Sequence, residues 1–573
     1  MYLKKDKRPN GRTYLSIVKS FRDPITKKPR QRAVLSVGFL DELTDKYQDP
    51  IAHFEELARQ MSEEEKAASE PITFSFDKEE LLSKEDILRK KLGFLPLSFI
   101  YHKLELDRFL INKQRNLSTD YSLSKIMESL VYLRILEPSS KKKTYELLDS
   151  YLFDYDFSQA DLYRSLDRIS TYRYEILRHL SEMVSMKYGR NTEKAYYDVT
   201  NYYFEISEED ELRKRGVSKE NRPNPIVQMG LLLDGDGIPL SYKLFEGSKI
   251  DSQTYMPFIH ELKDEFNLKK LIVVADKGIN TGENIAYNIL HGNGYIFSQT
   301  VRGATDEMKQ YILDDEGYTH YESGFKKKSR IVDAKIWIVD AKGVRRQVQI
   351  EQKQIVFYSP DYDKKAKYDR YKTVEKARKN LSKNGHLRAT GSYKYIAKDR
   401  VDSKTGEISE LTDSYYIDLD RVAEEEKYDG YYLLVTSELK EEDDKVIEAY
   451  KGLWKIEESF KITKTSLKAR PVWLSNRNRI EAHFLTCFIS LLMMRLIEKE
   501  AKAQDEGFPF SANRLIESLN NYTATYLDEN YYMFDYYDEN IDMMAKVMEV
   551  DLDKRFRTRR EIKDMIARTK TEL

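Results

Sequence analysis

The chain has 573 residues, too many for one ordinary core, so three or four domains are expected. Apolar residues make up 40% and charged residues 34%, enough to fold with large wet surfaces, and a net charge of −1 does not by itself announce a nucleic-acid binder. A single cysteine, Cys487, excludes a disulfide framework and a thiolate-built zinc site and fits a reducing cytoplasm.

The opening Met1-Tyr2-Leu3-Lys4-Lys5 leads into polar sequence and is read as no signal peptide. From Lys4 to Arg32 there are eleven Lys or Arg against two acids, Asp6 and Asp23. Residues 12–18 and 31–38 alternate with period two on either side of Asp-Pro-Ile-Thr-Lys-Lys-Pro, which predicts a basic β-hairpin. A polar stretch over 62–71 is expected as a linker, so residues 1–70 form the first region. From about Lys78 to Lys187 the pattern is helical. Ile126, Leu130, Leu133 and Ile135 share a face, and Glu137-Pro138-Ser139-Ser140 stops that helix and caps the next. Leu166, Ile169 and Tyr172 mark a further short helix. Short helices with basic turns over 71–190 suit a DNA-binding bundle, and a plain helical scaffold fits the pattern equally well.

At Thr192 the texture changes. Strands are predicted at 195–199, 227–233 and 239–245, the last two joined by the turn Asp234-Gly235-Asp236-Gly237. A helix capped by Ser252 follows, with Tyr255, Phe258, Ile259, Leu262 and Phe266 on its apolar face. Leu271 to Ala275 is a continuous apolar run, as in a strand buried on both faces. A helix over 282–290 and a strand over 295–298 complete the order of a ribonuclease-H-like core, its first part spanning 191–300. Residues 301–430 are strand-rich and basic, with a second basic run from Lys364 to Lys394, and are expected as a mainly β insertion. A strand at 431–436 and a helix over 446–467 resume the core through 500, and 501–573 is expected to be a helical C-terminal region with a third basic run from Lys554 to Lys570. Three basic patches on a neutral chain suit a protein that grips phosphates at several places, although charge runs are often only solvated faces. The apolar stretch Phe484–Met494 is too short to span a bilayer and reads as a buried helix.

Three acids stand out. Asp198 interrupts the apolar strand Ala195-Tyr196-Tyr197-Asp198-Val199, where aspartate is disfavoured and needs a partner. A cation is one such partner, and pairing with a nearby Lys or Arg is the commoner arrangement. Asp276 follows the strand 271–275, at the carboxyl end where open α/β sheets place their chemistry; a turn or helix-capping aspartate would look the same. In the helix after residue 446, Tyr450, Leu453, Glu457, Phe460 and Lys464 fall on one stripe, and a Glu and a Lys on that stripe imply that it faces a polar pocket. Two strand acids and one helix acid can hold two divalent ions, Mg²⁺ or Mn²⁺, for in-line phosphoryl transfer, and Lys464 could neutralise a nearby phosphate.

Tyr450, Trp454-Lys455-Ile456-Glu457-Glu458 and Lys464 resemble the YREK signature of bacterial insertion-sequence DDE transposases of the IS-four superfamily. Tyr-Tyr-Asp198-Val-Thr, Phe245-Glu246-Gly247 and Ala275-Asp276-Lys277-Gly278 are similar to that family's other motifs. Leu453 stands where the signature Arg is expected, so that phosphate contact is either missing or supplied by Lys451 or Lys455. The resemblance implies an α/β protein with a ribonuclease-H-like catalytic core interrupted by a mainly β insertion, flanked by helical DNA-binding and C-terminal regions. It implies catalytic and metal-binding Asp198, Asp276 and Glu457, two ions per active site, and DNA contacts from Tyr450, Lys464, Lys461, Lys455 and Trp337. A core tryptophan is the competing reading of Trp337. It further implies cut-and-paste transposition on double-stranded DNA, at inverted-repeat ends and in target DNA, by a homodimer in the bacterial cytoplasm at the nucleoid, with no membrane partner. Two alternatives remain at this stage: a nuclease of the same fold that cuts without joining, and a transposase-derived DNA-binding protein with an inactive site.

Overall fold

The structure, a computed structural model, describes residues 1–570 apart from 9–10, 23–28, 45, 48, 69–78, 80, 82–87, 218–222, 267–269, 340–341, 382–393, 402–407 and 528–529. It divides into two compact units, Met1–Ser83 and Lys84–Leu573. In the first, β1 (Tyr2–Lys7), β2 (Thr13–Arg22) and β3 (Pro29–Phe39) form an antiparallel sheet in that order, followed by α1 (Leu40–Leu43) and α2 (Pro50–Ala68). The alternating segments make the hairpin β2–β3, and β1 adds a third strand with Tyr2 opposite Val18. Leu15, Ile17, Phe54 and Ala58 are the buried apolar positions that the period-two and period-3.6 patterns supply. The expected linker is helical to Ala68; the rest of it, and the turn at 23–28, lie outside the described residues.

The second unit opens with β4 (Arg89–Lys91) and six helices: α3 (Leu95–Lys103), α4 (Leu106–Gln114), α5 (Leu123–Leu136), α6 (Lys141–Leu147), α7 (Gln159–Thr171) and α8 (Arg173–Tyr188). Serine caps set three of the starts. Ser122, Ser140 and Ser158 each accept a backbone N–H of the first turn, and Ser158 forms a full capping box with Asp161.

The mixed α/β core follows. Its strands are β5 (Lys194–Tyr203), β6 (Ile226–Asp234), β7 (Pro239–Glu246), β8 (Ile272–Ala275) and β9 (Gly294–Gln299), with α9 (Asp251–Phe266) and α10 (Gly282–Leu290) between them. The next segment holds α11 (Asp306–Leu313), β10 (Thr319–His320), β11 (Lys326–Val339), β12 (Arg345–Tyr358), α12 (Pro360–Leu381), β13 (Ile396–Val401), β14 (Ile408–Ile417) and α13 (Leu419–Glu426), and then β15 (Tyr431–Thr436). One nine-stranded sheet runs β10-β11-β12-β15-β9-β8-β5-β6-β7. The β7-β6-β5 meander is antiparallel, whereas β5-β8-β9 is parallel.

The segment 301–430, expected as mainly β, therefore differs in two ways. It contains the 22-residue helix α12, and β10, β11 and β12 continue the central sheet through β15 rather than standing apart from it. Its basic run reaches into 382–393, outside the described residues.

β5 has two faces. Tyr197 and Val199 pack with Tyr255, Phe258 and Ile259 of α9, while Tyr196 and Tyr202 face the large core on the other side. That core is organised by α16 (Arg477–Gln504), whose Phe484 and Phe488 rings meet Tyr202 and Tyr242 at 5.0 and 5.2 Å. Of the described helices α16 alone is long and apolar enough to cross a membrane, and 94% of its most apolar window is buried inside the molecule. Each large apolar side chain so buried contributes roughly 1.5–3 kcal/mol. α14 (Asp443–Lys451) and α15 (Trp454–Lys461) precede it, followed by one π-helical turn, Ile462–Ser466. The C-terminal region contains α17 (Ala512–Asn521), β16 (Thr523–Tyr526), β17 (Tyr531–Phe534), α18 (Glu539–Met548), β18 (Phe556–Thr558) and α19 (Arg559–Arg568). Its three strands join β4 in a small sheet, an addition to the helices expected there.

Candidate active site

The parallel pairing of β5 with β8 brings two of the three acids together. Tyr196 pairs with Val274, and Asp198 and Asp276 each lie two residues further in the same direction, on strands that pack ~4.8 Å apart. The Asp198 carboxylate accepts the Val199 N–H at 2.7 Å. Asp276 sits just past the end of β8, exposed, with its Oδ1 accepting the Ser298 hydroxyl at 2.7 Å and the Tyr450 hydroxyl at 3.4 Å.

The third acid comes from a helix that glycine allows close to the sheet. Gly452 separates α14 from α15, and a Cβ there would lie 2.2 Å from the Tyr196 hydroxyl. Only a residue without a side chain lets this junction rest on β5. α15 then places Glu457, exposed in its first turn beside the buried Ile456, on the wall of the same cavity. The expected single helix over 446–467 is thus broken at this glycine.

Asp198, Asp276 and Glu457 all line one cavity of about 500 Å³, together with Ser298, Tyr432 and Tyr450. Tyr432 lies near two of them: burial pushes its hydroxyl up, and Tyr362, Asp276 and Glu457 push it in the same direction. Burial likewise raises the Tyr450 hydroxyl, with Asp276 adding to the effect. Both phenols therefore stay protonated and able to donate. Lys277, Arg302, Lys365 and Lys451 bring positive charge to the rim. Arg302 is held by Asp429 at 2.8 Å. Among the described residues no three His, Cys, Asp or Glu side chains form a group that could hold a metal ion together.

The other predicted contacts have distinct positions. Lys464, in the π-helical turn, donates to the Thr200 hydroxyl at 2.6 Å and lies over the Tyr202 ring at 5.6 Å. Lys455 donates to the Gly235 carbonyl at 2.8 Å, so its ammonium is directed to the β6–β7 turn and is not among the residues lining the cavity. Lys461 is exposed on α15, and Leu453 lines the cavity. Trp337 is not a core residue: it is 48% exposed on β11, with the Arg345 guanidinium 4.8 Å above its ring. Tyr432, Ser298 and Arg302 were not singled out by sequence reasoning. Their places depend on β9 and β15 becoming neighbours across about 130 residues, which no local pattern encodes.

Residues 3–71 match the family described as IS1634 family transposase, N-terminal domain, and residues 213–493 match the family described as Transposase DDE domain. Among solved structures, a chain of the cryo-EM structure of a piggyBac transposase synaptic complex with hairpin DNA is 8% identical, with 89% of this chain and 81% of that chain covered and a TM-score of 0.33. No curated protein matches the chain.

Proposed function

We propose, for a chain that belongs to the insertion-sequence DDE transposases and catalyses DNA transposition, that Asp198, Asp276 and Glu457 are the acids of its active site. The observation that carries this reading is that all three line one cavity, Asp198 from β5, Asp276 from the end of the parallel strand beside it and Glu457 from α15. The order β7-β6-β5-β8-β9, antiparallel then parallel, supports a ribonuclease-H-like core.

The donor set fits divalent ions. Carboxylate oxygens are hard ligands, and Mg²⁺ takes one or two of them while keeping waters and substrate phosphate. Asp198, Asp276 and Glu457 line the cavity that would hold the ions, and among the described residues no three acids stand close enough to grasp one ion as a preformed group. Bound Mg²⁺ or Mn²⁺ supplies Lewis acidity at the phosphoryl group and at the oxygens entering and leaving it.

The chain's own groups do the positioning. Ser298 and Tyr450 hold the Asp276 carboxylate in a fixed orientation. Lys277, Lys365 and Lys451 draw the DNA backbone toward the cavity mouth. Lys461, exposed one turn beyond Glu457, and Trp337, on the far end of the β11–β12 ribbon, extend the DNA contact surface; Lys464 secures the catalytic helix against β5. The working assembly is a homodimer that holds two inverted-repeat ends and target DNA, cuts the ends and joins their 3′-hydroxyls to the target, in the cytoplasm at the nucleoid. A transposase-derived binding protein without activity is not favoured, because all three acids are present, and the DDE transposase domain leaves a cut-only nuclease equally without support.

The test uses the full chain on duplexes carrying the inverted repeats that flank its gene, with Mg²⁺. Asp276→Asn, Asp198→Asn and Glu457→Gln each lower cleavage and strand transfer by about 10³-fold or more while DNA binding persists. Cleavage at the wild-type rate in Asp276→Asn rejects the assignment. Pre-cut ends that are bound and never joined favour the nuclease instead.

A further inference from the structure

Behind the segment that follows the catalytic helix lies a second cavity, of about 190 Å³, whose lining is cationic and contains no acid. Lys141 and Arg134 are 4% and 5% exposed, and no Asp or Glu lines the cavity they face. Among the described residues the Lys141 ammonium has no hydrogen-bond partner, and neither has the Arg134 Nε. The rest of the Arg134 guanidinium donates to the carbonyls of Ser139 at 2.9 Å and Leu467 at 3.5 Å, which fixes its plane. Lys468 and Arg470 contribute two more positive side chains, and Trp473, 68% exposed, stands at the mouth.

An isolated buried ammonium costs several kcal/mol unless something neutralises it, and here a second buried cation adjoins it. The electrostatic consequence is visible on His483, whose ring is pushed well below its usual value by burial and by Arg134 and Lys141. His483 therefore stays neutral and donates its Nε2–H to the Ala469 carbonyl at 3.0 Å. Burial and Arg134 also push Lys141 itself down to about 7. Cations are excluded from this cavity by its charge, and an apolar guest would leave the ammonium unsatisfied. The space corresponds to about six waters at ~30 Å³ each, room for one tetrahedral oxyanion with some of its hydration.

We propose that this cavity is a phosphate-binding site, with Lys141 and Arg134 at its floor and Lys468 and Arg470 at its wall. A phosphate group accepts from the point-like ammonium and from the guanidinium fork at once, and supplies the missing countercharge. The group can come from a DNA backbone phosphate or from a free phosphate anion. The first source rests on the transposase reading, and the second does not. In either case Lys141 takes up a proton as the anion enters.

Thermal melting of the full chain in inorganic phosphate against chloride, at matched pH and ionic strength, tests the shared chemistry. The wild type gains about 1–2 °C in Tm in phosphate. Lys141→Met starts at a higher Tm and loses the phosphate-specific gain. A wild type that melts identically in both salts, or a gain undiminished in Lys141→Met, overturns the proposal, and the wild-type comparison stands even where the variant fails to fold. The second arm measures DNA affinity against salt. If Lys141→Met reduces the slope of log K on log salt by about one, a DNA phosphate is the occupant; an unchanged slope beside a lost phosphate gain identifies a free anion. Neither arm uses cleavage, so a failure here is separate from a failure of the Asp198, Asp276 and Glu457 assignment.

Discussion

The Lys464 ammonium donates to the Thr200 hydroxyl at 2.6 Å, tying the turn after the Glu457 helix to the strand that carries Asp198. Thr200 and Asp198 point to the same side of β5, two residues apart, so this bond sets the spacing between helix and strand where the acids meet. Lys464→Ala is expected to lower end cleavage by about 10²-fold through misplacement of Glu457, with little change in Tm. Lys464→Arg retains a long donor and should lose less. Cleavage kinetics beside a melting curve measure both.

Gly452→Ala probes the other contact that seats the helix. The backbone there is ordinary helical, φ −61°, so alanine brings no conformational penalty, only a Cβ against the Tyr196 ring. Overpacking of this kind costs about 1–3 kcal/mol. Urea unfolding should show that loss together with slower cleavage, and Tyr196→Phe, which removes the nearest atom, should restore part of each.

Trp337 separates stability from binding. The residue is half-exposed, and the β11–β12 ribbon carries it beyond the last residues that pair with β15. Trp337→Ala should change stability by no more than about 0.5–1 kcal/mol. If its ring stacks on a DNA base, affinity falls by the equivalent of ~1–3 kcal/mol. Equal DNA affinity of wild type and variant, read by fluorescence anisotropy, would remove Trp337 from the interface.

Lys141 gives a pH signature. Its folded value of about 7 lies below the ordinary lysine range, so between those limits the unfolded chain binds more protons than the folded one. Stability attributable to Lys141 therefore rises with pH from about 7 to about 10, at up to ~1.4 kcal/mol per pH unit, and its full penalty applies below pH 7. The difference between wild type and Lys141→Met, measured by denaturant unfolding in chloride, should shrink as pH rises across that window. A difference constant with pH contradicts it.

The acids were legible in the sequence because each violates its surroundings: Asp198 inside an apolar strand, Asp276 at the end of another, Glu457 on an otherwise apolar stripe. The strands expected at 195–199, 227–233, 239–245 and 271–275 fall on β5, β6, β7 and β8, with β5 running four residues further than its apolar segment indicated. What stayed hidden is long-range. Tyr432 enters the site only because β15 pairs with β9, and Lys141 meets Arg134 only in the folded helical core. α12 was missed because Pro360–Leu381 is so highly charged that its apolar stripe is thin, with Val374 and Ala377 its buried apolar residues. For Trp337 the sequence left two readings, a DNA contact and a core residue, and the strand excludes the second by turning Ile336 inward and leaving the indole outside.

The slot that β15 fills between β9 and β12 has a consequence for biosynthesis. About 130 residues separate the end of β9 from the start of β15. At 5–20 residues per second, a ribosome leaves the β9 edge without its neighbour for roughly ten seconds. During that interval the nascent sheet presents an open row of amides and carbonyls to any passing strand, and chaperone cover at that stage would govern how much protein matures. Glu457 is translated later still, so a truncated product ending before it would carry two of the three acids and no complete site.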